Sequence, residues 1–235
     1  MGASRAFDVS RPSCVALVAF AVTLPSGWCG QRDIAIRYHN SDYQFSSADR
    51  AAIQEVADAA AVEARRFLPT LPRKLVLEVH AGRQVVPETG ETGYSVSPNV
   101  VYWTVDPNRH GGVLAVTRKQ LRASLFEFFH HLVRRQTVRP TSLMDNVVTD
   151  GMAIAFERDF GGVSPPWGVY PDNVMDWVTE LMALPPDTPQ EHFQADPRRW
   201  IRFQVGVYLV DQSMRASRQS SAQLVSSSTE DVIRM

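Results

Sequence analysis

The apolar residues of this 235-residue chain follow a mixed pattern of strand and helix spacing up to Thr117 and helical spacing after it. Before that point, three short segments alternate apolar and polar residues, which predicts strands with one buried face at 33–39, 74–80 and 100–105. An alanine-rich run at 47–68 has helical spacing, with Ser47 as the expected N-cap. The segment 90–95 contains two glycines and is interpreted as a turn.

After Thr117 the apolar spacing is helical throughout. It predicts four helices, at 118–136, 146–160, 173–184 and 198–215. The serine-rich tail at 217–228 has room for one short helix. This order predicts an α+β fold, in which a small N-terminal sheet with a helix is followed by a mostly helical half.

Composition narrows the classes of partner and site. A formal net charge of -1 gives no electrostatic footprint for a nucleic acid, so no nucleic-acid partner is expected. No apolar run reaches the ~20 residues of a membrane-spanning helix, so no integral membrane span is expected in the mature chain. Cys14 and Cys29 are the only cysteines. A metal ion would therefore be bound by imidazoles and carboxylates.

The first thirty residues have the pattern of an export signal. Arg5 and Arg11 precede a short apolar run, which Pro25 and the small residues after it interrupt. We therefore predict a signal peptide or membrane-targeting segment at 1–30, a folded domain at 31–235, and an exported protein. A buried helix is the alternative for this segment. Cys29 lies where a lipid-modified cysteine would lie, although Trp28 before it departs from the small-residue pattern of such sites.

The segment 121–134 carries the residues most suited to chemistry. Its apolar spine has spacings of four, three and four, and it predicts the face turned to the core: Leu121, Leu125, Phe128 and Leu132. Glu127 and His131 are one turn apart on the adjacent flank, so they can reach the same point. A carboxylate and an imidazole in this relation can supply two ligands to a divalent cation.

A second segment supplies a third candidate ligand. Asp150 is the one charge in the apolar stretch 147–156, and Gly151 beside it would let another helix approach closely. A buried carboxylate is costly unless it is paired or bound to a metal. We expect Asp150 to face Glu127 and His131. The alternative for these residues is a set of ordinary ion pairs without a metal.

These motifs resemble those of the bacterial predicted zinc-dependent proteases, which have a zincin-like fold with an H-E-x-x-H helix and a downstream Glu-Gly. The segment 125–134, LFEFFHHLVR, resembles that family's L-F-H-E-x-H-H-L-V-R, and 150–153 resembles its E-G-L-A. The sequences at 93–95 and 202–210 are also similar. The resemblance implies a zinc cofactor, with another divalent cation or no metal as the alternatives. It implies a zincin-like metallopeptidase domain at 31–235 and a peptide or protein as substrate or partner. It also implies that the strand containing Tyr102 and Trp103 is an edge strand that pairs with substrate.

The departures from the family motif concern its chemistry. In this alignment Glu127 stands at the first zinc-binding histidine, His131 keeps the second, and Asp150 replaces the third ligand, a glutamate. Phe128 stands at the general-base glutamate and cannot accept a proton from water. A missing general base costs ~10²–10⁴ in rate, so peptide hydrolysis is expected to be weak or absent.

Two further alternatives stay open from the sequence. A shift of one residue would make Glu127 the base and His130 a ligand, although the helical phase places His130 opposite the apolar spine. In either alignment, the protein could be a pseudoenzyme that binds a peptide or protein in the former substrate groove without cleaving it.

Overall fold

The computed structural model describes residues 34–39, 42–96, 98–193 and 196–234, all of which belong to a single unit, Arg32–Met235. The predicted targeting segment 1–30, with Cys14 and Cys29, lies outside the described residues. No helix in the described ranges is long and apolar enough to cross a membrane.

Four strands form one mixed sheet in the order β1-β2-β4-β3. They are β1 (Ile34–His39), β2 (Leu75–Ala81), β3 (Glu91–Val96) and β4 (Val100–Val105). The first three in this spatial order are parallel, and β3 runs antiparallel to β4. Together with the helices described below, this sheet confirms the predicted α+β class.

The interpretation of 90–95 as a turn is wrong, because residues 91–96 form β3. Gly90 does turn the chain, with a φ of 77°. The strand that follows is stabilised by pairing with β4, and Tyr94 stacks on Tyr102 with 4.9 Å between the ring centroids. As a result β4 lies inside the sheet, and the expectation that Tyr102 and Trp103 lie on the edge strand is also wrong.

Two helical segments pack on the inner face of the sheet. Helix α1 (Ser47–Phe67) begins with a capping box in which Ser46, one residue before the predicted cap, accepts from the Asp49 N–H at 3.1 Å. Helix α2 (Gly112–Val116) continues through a π-helical turn (Thr117–Leu121) into α3 (Arg122–Arg134). Buried side chains of α1, α3 and the sheet form the first apolar cluster.

The second half is helical, as predicted. Helix α4 (Leu143–Phe156) starts at the capping residue Ser142 and continues into a π-helical turn (Glu157–Gly161). The other elements are two short 3₁₀ turns (Pro166–Gly168 and Gln190–Phe193) and three helices: α5 (Val174–Ala183), α6 (Ile201–Ser217) and α7 (Thr229–Arg234). The tail does contain one short helix, α7, but this helix begins at Thr229, after the serine-rich segment 217–228 in which it was expected. A second apolar cluster joins α4, α5, α6 and α7.

Helices α4 and α6 cross with their backbones in contact. A Cβ atom at Gly151 would lie 2.1 Å from the carbonyl carbon of Gly206, and one at Gly206 would lie 2.2 Å from the Val147 carbonyl oxygen. Only glycine fits at such a crossing. This confirms the prediction that Gly151 allows another helix to approach.

Candidate functional site

The structure brings together the three residues predicted as metal ligands. The His131 Nε2 atom lies 3.8 Å from Glu127 Oε1 and 3.9 Å from Asp150 Oδ1. Glu127 and His131 are on successive turns of α3, and Asp150 reaches them from α4. The His131 side chain is 9% exposed, and the two carboxylates are each 19% exposed.

A residue that the sequence did not indicate joins this group. The Arg202 Nη2 atom, on α6, lies 3.0 Å from Asp150 Oδ2, and both side chains are largely buried. The guanidinium also lies over the Phe203 ring, 4.8 Å from its centroid. The positive charge beside Asp150 therefore comes from the chain itself, and the Gly151–Gly206 crossing brings α6 close enough to provide it.

The arrangement of these side chains differs from a typical zinc site in three respects. Two donors that each lie ~2.0–2.2 Å from a tetrahedral zinc are about 3.4 Å apart, somewhat less than the distances around His131. A metal-bound histidine normally donates its other ring N–H to a partner, yet His131 Nδ1 is buried with no hydrogen-bond partner among the described residues. Arg202 also competes for Asp150. No group of three His, Cys, Asp or Glu side chains in the described ranges is arranged to bind a metal ion, so zinc binding stays a prediction.

Phe128 lies on the inner side of the edge strand β3. The Cβ that Gly93 lacks would meet the Phe128 ring at 2.7 Å and the Tyr102 carbonyl oxygen at 2.5 Å. Phe128 is only 4% exposed. Phe128, which the resemblance aligns with a general base, therefore supports β3 with its aromatic ring, and Gly93 is the residue that makes room for it.

A cleft of about 200 Å³ opens beside this ring. One wall comes from β3 and the loop before it, the floor from α3, and the other wall from aromatic side chains near the start of α6. The residues that line it are Val86, Glu91, Thr92, Gly93, Ser124, Glu127, Phe128, Trp167, Trp200 and Phe203. Arg199, next to Trp200, forms an ion pair with Glu88 in the loop before β3, with 2.7 Å between Arg199 Nη1 and Glu88 Oε1.

Two buried glutamates near this cleft were missed by the sequence reasoning. Glu91 is 5% exposed and accepts a hydrogen bond from Trp103 Nε1 at 2.8 Å. Burial raises its pKa to about 7; the Trp103 hydrogen bond opposes this shift, and the negative charge of Glu127 adds to it. Glu91 was hidden by the incorrect interpretation of its segment as a turn.

Glu157 is the second missed glutamate and is 3% exposed. Burial raises its pKa well above the usual range, and the charges of Glu127 and Glu91 and a hydrogen bond to Glu127 act in the same direction. A protonated Glu157 can therefore donate to Glu127. Glu157 lies two helical turns after Asp150 in the sequence. This spacing could have placed both side chains on the same side of the helix.

His130, the alternative ligand, lies away from this group. It is fully buried, on the side of α3 opposite the predicted apolar spine. Its Nε2 atom donates to the Ser221 carbonyl at 3.3 Å, and its ring packs against Phe156. Burial, with a smaller contribution from His131, lowers its pKa to about 3.

Comparisons with protein-family models, with curated proteins and with solved structures found no match to this chain.

Proposed function

We propose that this chain has a zincin-like fold and is a degenerate relative of the zinc metallopeptidases, which binds an extended polypeptide in its cleft without zinc-dependent hydrolysis. The free edge of β3, facing the cleft, is the observation that carries this proposal. An exposed sheet edge can bind an extended peptide as an additional strand.

The register of β3 determines which backbone groups are free for a peptide. The Asp106 N–H donates to the Gly90 carbonyl at 3.0 Å, so Gly90 and every second residue after it direct their backbone groups toward β4. Gly93 therefore directs its N–H and C=O to the opposite side, into the cleft. The neighbouring outward carbonyls are already occupied: Glu91 accepts from the Val86 N–H, and Ser95 accepts from Arg135.

The wall opposite β3 provides apolar surface for the side chains of a peptide. The Trp200 ring lies 5.0 Å from the Trp167 ring and 5.9 Å from the Phe203 ring, measured between centroids. A partly exposed aromatic row opposite a sheet edge is typical of a surface that binds polypeptides. A peptide on Gly93 would therefore be held between backbone hydrogen bonds and aromatic contacts.

Two other features of the site disfavour hydrolysis by the mechanism of the resembled family. Phe128 has no group that accepts a proton, and Asp150 is paired with Arg202. The site thus retains the shape of a cleft that holds a peptide, whereas the residue that would activate water is absent.

Binding and cleavage can be measured on one substrate, fluorescein-labelled unfolded casein. We expect an increase in fluorescence anisotropy on binding, no fragments on a gel, and no effect of EDTA. Trp200→Ala should weaken binding by about tenfold, as for a central aromatic contact. Trp177→Ala, on α5 outside the cleft, is the matched control and should bind like the unchanged protein.

Two results would overturn the proposal. One is the absence of binding to casein and to other unfolded polypeptides. The other is the appearance of fragments that EDTA suppresses, which would identify an active metallopeptidase.

A further inference from the structure

The floor of the cleft and its surroundings are rich in carboxyl groups. Three glutamates lie in or next to its floor: Glu91, Glu127 and Glu157. Among the described residues, no lysine or arginine forms an ion pair with any of them, and the only ionic neighbour within 4.0 Å is His131, beside Glu127. The two nearby arginines are directed elsewhere, Arg202 to Asp150 and Arg199 to Glu88.

The position of Glu127 in the cleft is supported from behind. Glu157 is 3% exposed and does not line the cleft, but its carboxyl group is hydrogen-bonded to Glu127, which does. Glu157 therefore holds the Glu127 carboxylate in place, and Glu127 is the group of this pair that a ligand in the cleft can reach.

The aromatic wall determines what kind of cation suits the cleft. Organic cations bind over aromatic faces, which attract positive charge. The chain already uses these rings in this way, since the guanidinium of Arg199 lies 4.3 Å from the Trp200 ring centroid and that of Arg202 lies 4.8 Å from the Phe203 ring centroid. A metal ion would need neither the aromatic faces nor the volume of about 200 Å³.

From this arrangement we infer that the cleft recognises a lysine or arginine side chain of the bound polypeptide. The aliphatic stem lies between Phe128 and the aromatic wall, and the charged end reaches Glu127, with Glu91 close by. Backbone pairing at Gly93 supplies affinity for any extended chain, and this pocket supplies the preference for a basic residue. The inference rests on the proposed function, because it assigns a specificity to the same cleft.

Matched peptides provide the test. Labelled alanine-rich peptides that differ only in a central Lys, Arg, norleucine or Glu are titrated with the full chain, and binding is followed by fluorescence anisotropy. We expect the Lys and Arg peptides to bind about tenfold more tightly than the norleucine peptide, and the Glu peptide to bind most weakly. In Glu127→Gln, this preference should fall to about twofold while the norleucine peptide binds as before.

The controls separate this inference from the proposed function. Glu55→Gln, an exposed position on α1, should retain the preference. Equal binding of the Lys, Arg and norleucine peptides would overturn the inference and leave polypeptide binding intact, whereas no binding of any peptide would contradict both. A zinc ion that binds stoichiometrically, loses affinity in Glu127→Gln and displaces the Lys peptide would also overturn the inference, because the cleft would then be a metal site.

Discussion

The buried Glu91 makes the stability of the protein depend on pH. Its pKa is about 7 in the folded protein, against an ordinary value of 4.5. Below pH 4.5 the carboxyl is protonated in both states. Between the two pKa values only the unfolded state releases the proton, so the free energy of unfolding falls as pH rises. At 1.36 kcal/mol per pKa unit, the loss reaches about 3 kcal/mol above pH 7.

Replacing Glu91 with glutamine removes this loss. The Glu91→Gln side chain has a similar size and retains an acceptor for Trp103 Nε1. The variant should gain stability relative to the unchanged protein by about 2.5 kcal/mol between about pH 5 and about pH 8. Urea unfolding followed by circular dichroism at both pH values measures this difference.

Comparison at each pH removes the contribution of titrating groups that do not interact with Glu91. Burial lowers the pKa of His130 to about 3, which destabilises the folded protein as pH falls below 6.5, but this effect is common to both proteins and cancels. Glu55→Gln, on the surface of α1, should leave the pH dependence unchanged. A stability difference between Glu91→Gln and the unchanged protein that stays constant across this pH range would refute the reasoning.

Two other predictions concern the helix crossing and the metal-binding motif. Gly206→Ala places a Cβ 2.2 Å from the Val147 carbonyl oxygen and should lower the free energy of unfolding by about 3 kcal/mol, measured as a lower urea midpoint. Gly82→Ala is the control: its Cβ would have its nearest contact at 3.3 Å, so it should lower the free energy of unfolding much less. The double substitution Glu127→His and Phe128→Glu should produce zinc binding, measured by competition with a chromogenic chelator, together with detectable peptidase activity. A variant that gains neither would count against the alignment that places Glu127 at the first histidine.

The elements of the fold were largely predictable because their periodicity is local. Helix α4 and strands β1, β2 and β4 follow from the spacing of apolar residues. Strand β3 was missed because its stability comes from pairing with β4, whereas Gly90 before it and Gly93 within it favour a turn. The burial of His130 could not be predicted, because helical phase gives the direction of a side chain but not whether other parts of the protein cover that side of the helix.

The site was predictable only in part, for a similar reason. The proximity of Glu127 and His131 follows from helical geometry, and Asp150 could be placed near them because a lone carboxylate in an apolar helix needs a partner. Arg202 could not be placed, because its contact with Asp150 depends on how α6 crosses α4. Glu91 reaches the cleft only through a strand that the sequence did not reveal.

The glycine crossing of α4 and α6 has a consequence for how this cleft can change over evolution. The distance between the two helices is determined by backbone contact at Gly151 and Gly206, not by attraction between Asp150 and Arg202 one turn or less away. Substitutions among the charged residues can therefore alter the chemistry of the cleft while its walls stay in place. We expect homologues to keep both glycines even where Glu127, Asp150 or Arg202 differ.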